Sequence, residues 1–353
     1  MKKTMLLLAA CLCFSSAWSQ NLSKNESKAL QAFLSQPAKT VGTNGSALKY
    51  DGKNLSSVEG LKIENGHVTE ISWSGKDLAG ELSLTSFPAL AKVDVSRNAL
   101  TGLTVASNPE LVELNASSNR LPQVSLENNS QLQNINLNRN RLSTIDLGGV
   151  PLLKKLNLAS NHLVALDVAN LTLLENLNVT NNHLEELAVT DCQKLKNLYA
   201  GYNDLTAIEL SGLTSLANLN VTSNKISKLY LQNLPSLFTI FASDNHMAQI
   251  AINNCPALDE VYAPYNDLTT FSVTDCQNLA FVNLAWNDLT YLDLSNQYQL
   301  TRLNVANNQL VTLDVSFCTS LRTLNLAGDS MLTDVRTEGD TQLRQVVGVW
   351  DFE

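Results

Sequence analysis

Residues 153–163 read Leu153-Lys154-Lys155-Leu156-Asn157-Leu158-Ala159-Ser160-Asn161-His162-Leu163. Leucine takes the first, fourth, sixth and eleventh places, and Asn161 the ninth. The same order of residue types returns 21 residues away in both directions. Asn98, Asn119, Asn140, Asn161, Asn182, Asn203, Asn224, Asn245, Asn266, Asn287 and Asn308 hold the ninth place in turn, and Asp329 takes the next. Twelve copies without an insertion make residues 68–330 one stack of like coils. A chain of 353 residues would otherwise suggest two or three globules. Coils are numbered here by these residues, from coil 1 at Asn98 to coil 12 at Asp329, and positions within a coil are counted from them.

The motif L-x-x-L-x-L-x-x-N-x-L is the leucine-rich-repeat signature. It is nested: a second L-x-x-L-x-L unit follows each first one, as in Leu100-Thr101-Gly102-Leu103-Thr104-Val105. Each half alternates apolar and polar residues, the period of a strand, and neither has a helical period. The expected fold is therefore an all-β-rich leucine-rich-repeat solenoid with two parallel sheets, one on each side. Equal widths on both sides predict a nearly straight rod. At about 4.8 Å per coil, twelve coils span roughly 55–60 Å.

The Asn column reads as a ladder. A buried turn leaves backbone N–H and C=O groups to satisfy, and a carboxamide offers both a donor and an acceptor. Four cysteines, Cys192, Cys255, Cys276 and Cys318, share the slot ten residues later with Asn108, Asn129, Val150, Leu171, Leu213 and Leu234. That column is a packing position. Cys255 and Cys276 fall in adjacent coils, but side chains stacked near 4.8 Å exceed the Cβ separation of about 3.8 Å that a disulfide needs. Buried thiols are expected, and no histidine shares the column to make a zinc site.

A solenoid needs covers at its ends. Residues 20–67 are expected to form a small α/β N-terminal cap. Ser23-Lys24-Asn25-Glu26 reads as a capping box opening a helix with Leu30, Phe33 and Leu34, stopped by Pro37. Residues 38–57 read as loop, and Leu61 to Ile71 as a hairpin turning at Asn65-Gly66. Residues 331–353 break the period by one residue and are expected to cap the other end, with Trp350 as a lid.

Residues 1–19 have the form of a signal peptide: Lys2 and Lys3, an apolar run from Met5 to Ala17, and Ala17-Trp18-Ser19 before cleavage at Gln20. The run is too short to span a bilayer. Leu8-Ala9-Ala10-Cys11 offers a second reading, a lipoprotein acylated at Cys11. Export to the cell surface, periplasm or medium is expected on the first reading. The chain carries 24 Lys+Arg against 33 Asp+Glu, a net charge of −9, and loss of the leader with its two lysines leaves −11. That balance speaks against a nucleic-acid partner and a polybasic membrane-surface protein.

The repeats resemble the bacterial nested 21-residue class related to internalins. Val68-Thr69-Glu70-Ile71-Ser72-Trp73-Ser74-Gly75-Lys76-Asp77-Leu78-Ala79-Gly80-Glu81-Leu82 is similar to the first repeat after the N-terminal cap of many extracellular leucine-rich-repeat proteins. The resemblance implies recognition of a protein or glycan without catalysis, and it assigns no fixed functional residues.

Function must then lie in outward positions. The −4 column is mostly Asn and reads as a solvated ladder. Residues 88–198 contain no aromatic residue, whereas 199–298 contain twelve. Seven fall on the outer face of the first strand or the turn beside it: Tyr199, Tyr202, Phe241, Tyr262, Tyr265, Phe281 and Trp286. Asp204, Asp244, Asp267 and Asp288 read as an acidic edge beside them. A row of exposed aromatics marks an interaction surface, although cross-strand stacking alone can also place rings there. The expected function is non-enzymatic recognition of a protein through this face in coils 6–10. A glycan is the alternative ligand, and an enzyme or enzyme inhibitor the second alternative. No nucleophile–base–orienter set, P-loop or dinucleotide fingerprint is found, and no cofactor or metal is expected. His162, His183 and His246, each one residue after the ladder Asn, read as solvated turn residues.

Overall fold

The structure, a computed structural model, describes residues 22–338 and 342–348. The leader with Cys11, and the expected lid Trp350, lie outside the described residues. The chain is a β-solenoid of about thirteen turns with little helix.

A helix, Lys24–Leu34, buries Leu30, Phe33 and Leu34 against the first turn of the stack, where Phe33 stacks on Trp73 at 5.7 Å. Only half of the capping box forms. Ser23 Oγ accepts from Glu26 N at 3.4 Å, but Ser23 N donates to Gly66 O. The buried Glu26 carboxylate turns to the hairpin instead, accepting from Val68 N and meeting His67 Nδ1, both at 3.1 Å. Within 38–57 a short helix, Asn44–Ala47, and a 3-10 turn, Leu55–Ser57, replace featureless loop. Buried Asn44 is the reason. Its amide donates to Phe33 O and Ala79 O and accepts from Ala79 N, tying helix to repeats. The strands Leu61–Glu64 and His67–Ser72 form an antiparallel hairpin whose turn residues, Asn65 and Gly66, both take positive φ.

The hairpin's second strand pairs on its other edge with Lys92–Asp94, so hairpin and repeats share one sheet. Among the described residues that sheet is continuous, with fifteen strands, all parallel beyond the hairpin. The other side is also β but interrupted, in four ladders of two or three strands with gaps at coils 3, 6 and 10. Its ladder of three five-residue strands, Lys228–Gln232, Gln249–Asn253 and Thr270–Thr274, is together the richest in β-branched and aromatic residues, which suit a half-buried pleat. Both sides continue past residue 330. Asp334–Arg336 and Gln345–Val347 join the two ladders at a spacing of 22, the one-residue break in the period.

Between the sides, the ladder Asn repeat one set of bonds. Asn161 Oδ1 accepts from Leu142 N at 3.0 Å, while Nδ2 donates to Leu137 O at 3.1 Å and Leu158 O at 2.9 Å. Each carboxamide thereby satisfies a turn in its own coil and one in the coil before. The cysteines lie in the other slot as buried thiols without disulfides. Cys192 Sγ meets Val168 O at 3.2 Å, the carbonyl equivalent to the one that Asn108 Nδ2 reaches at Leu84. Burial pushes the Cys192 thiol up to about 11.

Candidate recognition surface

The turn around each ladder Asn requires a positive φ at position −1. Residues 97, 118, 139, 160, 181, 202, 223, 244, 265, 286 and 307 all lie between 52° and 60°, and Gly328 at 85°. The conformation belongs to the stack, because the −1 N–H bonds the next coil: Tyr202 N donates to Thr222 O, and Trp286 N to Ala306 O, both at 2.8 Å. Glycine and Asn adopt this region readily, whereas bulky side chains there are outliers. Yet Tyr202, Tyr265 and Trp286 occupy it, with 58%, 55% and 53% of their surface exposed. The sequence shows the aromatic column but not this backbone constraint. Its trace is the Ser, Asn and Gly that fill the same place in other coils.

The remaining four rings lie on the strand face. Tyr199 ends the strand Asn197–Tyr199 and is exposed. Phe241 stacks on Tyr262 at 4.8 Å, Tyr262 lies 4.7 Å from Phe281, and the Arg302 guanidinium sits 4.3 Å above Phe281. This is one stack across four successive coils, and it half-buries Tyr262 and Phe281. Burial, with Glu260 beside it, raises the Tyr262 hydroxyl above its usual range. Glu260 also approaches Arg302 at 3.7 Å. Glu260 and Arg302 were missed by sequence reasoning. Their signal was register, since both share the −6 column with Phe281.

The expected acidic edge resolves into two columns. Asp244 stands at −1, among the exposed rings. Asp204, Asp267 and Asp288 stand at +1, interleaved with Lys225, His246 and Gln309. Lys225 binds Asp204 at 2.8 Å and holds its carboxyl below the usual range. His246 lies 3.5 Å from Asp267, and Gln309 donates to Asp288 at 2.7 Å. The row is thus mixed rather than acidic.

In coils 1–6 the same sheet face forms a shallow trough of about 490 Å³, lined by the −6 and −4 columns from Lys92 and Asp94 to Tyr199. The aromatic surface begins where the trough ends. Among the described residues no helix is long and apolar enough to cross a membrane.

No protein-family model and no curated protein matches the sequence. Solved structures do. An internalin, inlF from Listeria monocytogenes, is 22% identical over 78% of this chain and 91% of its own, with a TM-score of 0.56. The leucine-rich-repeat ectodomain of the Arabidopsis thaliana receptor kinase GASSHO1/SCHENGEN3, solved with CASPARIAN STRIP INTEGRITY FACTOR 2, is 19% identical over 88% of this chain and 47% of its own, with a TM-score of 0.53. The functional domain of InlJ from Listeria monocytogenes is 23% identical over 74% of this chain and 66% of its own, with a TM-score of 0.42.

Proposed function

We propose that this chain, a leucine-rich-repeat solenoid resembling the Listeria internalins, is an exported recognition protein. It binds a protein partner through the outer aromatic face of coils 6–10, and residues 1–19 direct its export. One observation carries the reading. Three large aromatic side chains occupy positive-φ positions, where they are disfavoured and mostly exposed, so the fold gains little from them. Residues held in disfavoured backbone regions cluster at functional sites. Aromatic residues are also enriched in the centres of protein interfaces.

The test replaces Tyr202, Tyr265 and Trp286 together with Asn, which the same column already holds at Asn181 and Asn307. Partner capture from extracellular extract by the parent chain, followed by titration, should show a loss of roughly 100-fold or more in the triple variant, the scale of a few hot-spot residues. Thermal stability should not fall. Retained affinity would refute the site. A glycan array is run beside it, because the Tyr265 and Trp286 rings stack at 5.8 Å with planes 16° apart, a flat platform that also suits a sugar ring.

A further inference from the structure

The other half of the same edge carries a different chemistry. Four of the eight arginines of the chain are Arg97, Arg120, Arg139 and Arg141, and none of the others falls before residue 302. Arg97 and Arg139 take the −1 place of coils 1 and 3, and Arg120 and Arg141 the +1 place of coils 2 and 3. All four are exposed. Their backbones are fixed by the ladder: Arg97 N donates to Ser117 O and Arg139 N to Ala159 O, both at 2.8 Å, and Arg141 N to Leu121 O at 2.9 Å. The set spans two coil steps, roughly 10 Å.

No carboxylate of the described residues is bonded to these guanidiniums; Asp94, at −4 of coil 1 in the trough, turns Oδ1 to Ser96 instead, accepting from its N–H at 3.0 Å and its hydroxyl at 2.7 Å. Among the described residues, the ion pairs involve none of the four. The columns at −2, +3 and +4 carry no charged residue from coil 1 to coil 4, and Glu113, in the trough, is already bound by Lys92 at 2.7 Å. On a chain of net charge −9, four adjacent uncompensated guanidiniums are a local exception. His162 and His183 prolong the +1 row, with rings stacked 6.0 Å apart.

Beside this edge lies the trough, and its −4 amides are oriented. Asn115, Asn136, Asn157 and Asn178 each use Oδ1 to accept from the backbone N–H two residues on, at 3.0–3.3 Å. That leaves each Nδ2 as the donor offered to a ligand, repeated once per coil. Guanidinium groups recognise sulfate and carboxylate through paired charge-assisted hydrogen bonds. Amide donors suit hydroxyl oxygens.

We propose that the arginine edge of coils 1–3 and the amide-lined trough beside it form a second binding site, for an anionic polysaccharide. The anions sit on the arginines and the sugar hydroxyls on the −4 amides. Duplex DNA fits poorly. Its backbone offers phosphates to the arginines but no hydroxyls to the −4 amides. A polysaccharide that carries both anionic groups and hydroxyls matches both parts.

The experiment measures binding of the chain to immobilised heparin, polygalacturonate, dextran and a double-stranded DNA oligonucleotide. The variant R97S/R120Q/R139S/R141Q uses residues that the same columns hold at Ser118, Ser160 and Gln309, so it should fold. A control, K24Q/K28Q/K39Q/K53Q, removes four exposed positive charges from the N-terminal segment. Binding to heparin should weaken roughly 100-fold in the arginine variant, as expected for loss of several charge-assisted contacts, and hold in the lysine control. Binding to polygalacturonate as well would mean that carboxylates suffice, and to heparin alone that sulfate is the ligand; either supports the site. The triple Asn variant at Tyr202, Tyr265 and Trp286 should bind heparin as the parent does, which separates this site from the aromatic face. Four results would overturn the proposal: no binding to either anionic polymer, equal binding to dextran, equal weakening in the lysine control, or preference for the oligonucleotide.

Discussion

Coils 1–5 and coils 6–10 share one ladder and differ in what they show to solvent. The first five present arginine, amide and serine, without a single Phe, Tyr or Trp. The next five present seven rings on the same face. The interiors are interchangeable. In coil 2, Asn119 accepts from Leu100 N at 3.0 Å and donates to Val95 O and Ala116 O, both at 3.0 Å. In coil 8, Asn245 accepts from Ile226 N at 3.1 Å and donates to Val221 O at 3.0 Å and Ala242 O at 3.4 Å. Each coil's interior groups are partners of the next coil's, so no interior column can drift alone. The outward columns have no such obligation, and there the halves diverge.

The largest effect tests that equivalence. Asn119→Ala and Asn245→Ala each strand one buried N–H, of Leu100 or Ile226, and remove one of the two amide donors from each of two carbonyls, which the neighbouring ladder Asn still reach. At about 1–3 kcal/mol for the unsatisfied buried N–H, with the two lost amide bonds adding to it, each should cost roughly 2–3 kcal/mol in chemical denaturation. The two values should agree within about 1 kcal/mol if the interiors are equivalent. A clear asymmetry would show that the halves differ inside as well as outside.

The next effect lies at the end of the ladder, where Asp329 replaces Asn. Its Oδ1 accepts from Asn308 N at 3.1 Å, but buried Oδ2 has no partner where an Asn would donate. Burial lifts this carboxyl from 3.8 to about 6. Between these values the folded chain holds a proton that the unfolded chain has lost. Stability therefore falls as pH rises from about 4 to about 6 and stays low at pH 7. Asp329→Asn supplies the missing donor and removes the charge. It should stabilise the last coils by on the order of 2 kcal/mol at pH 7, with the difference shrinking toward pH 4. Melting curves at pH 4, 5 and 7 read this directly. A gain unchanged across that range would mean that titration of Asp329 is not its source.

The sequence told the two regions apart in one respect and not in another. The aromatic divide at residue 199 is visible by reading. So are the nested period, the Asn ladder and the buried Cys column, because an interior used by every neighbour must repeat. Glu26 was misread because a capping box is local, whereas the hairpin N–H that captures its carboxylate comes from Val68. The breaks in the second sheet were not legible, since L-x-L alternation persists at Ile145-Asp146-Leu147 and Ile208-Glu209-Leu210, where no strand forms. The arginine edge escaped because its members straddle the ladder Asn in alternating columns. Only the turn geometry shows that −1 and +1 share one rim.

The smallest effect separates strain from stacking within the aromatic half. Tyr202 and Tyr265 have the same φ, 57°, and nearly the same exposure. They differ in their neighbours along the −1 column. Tyr202 stands between Asn181 and Ser223, whereas Tyr265 lies against Trp286. A bulky residue at positive φ costs about 1 kcal/mol or more relative to glycine, and Asn relieves part of that. A cross-strand aromatic pair returns about 0.2–1 kcal/mol. Tyr202→Asn should therefore raise stability by about 0.5 kcal/mol, since strain is relieved and no ring pair is lost. Tyr265→Asn should be near neutral, because the relief and the lost stacking offset each other. The double variant Tyr265→Asn/Trp286→Asn should then regain stability, because the pair is lost only once while strain is relieved twice. If Tyr202→Asn instead destabilises the chain, the exposed ring contributes to folding, and the argument that these rings are held for a partner fails at its first residue.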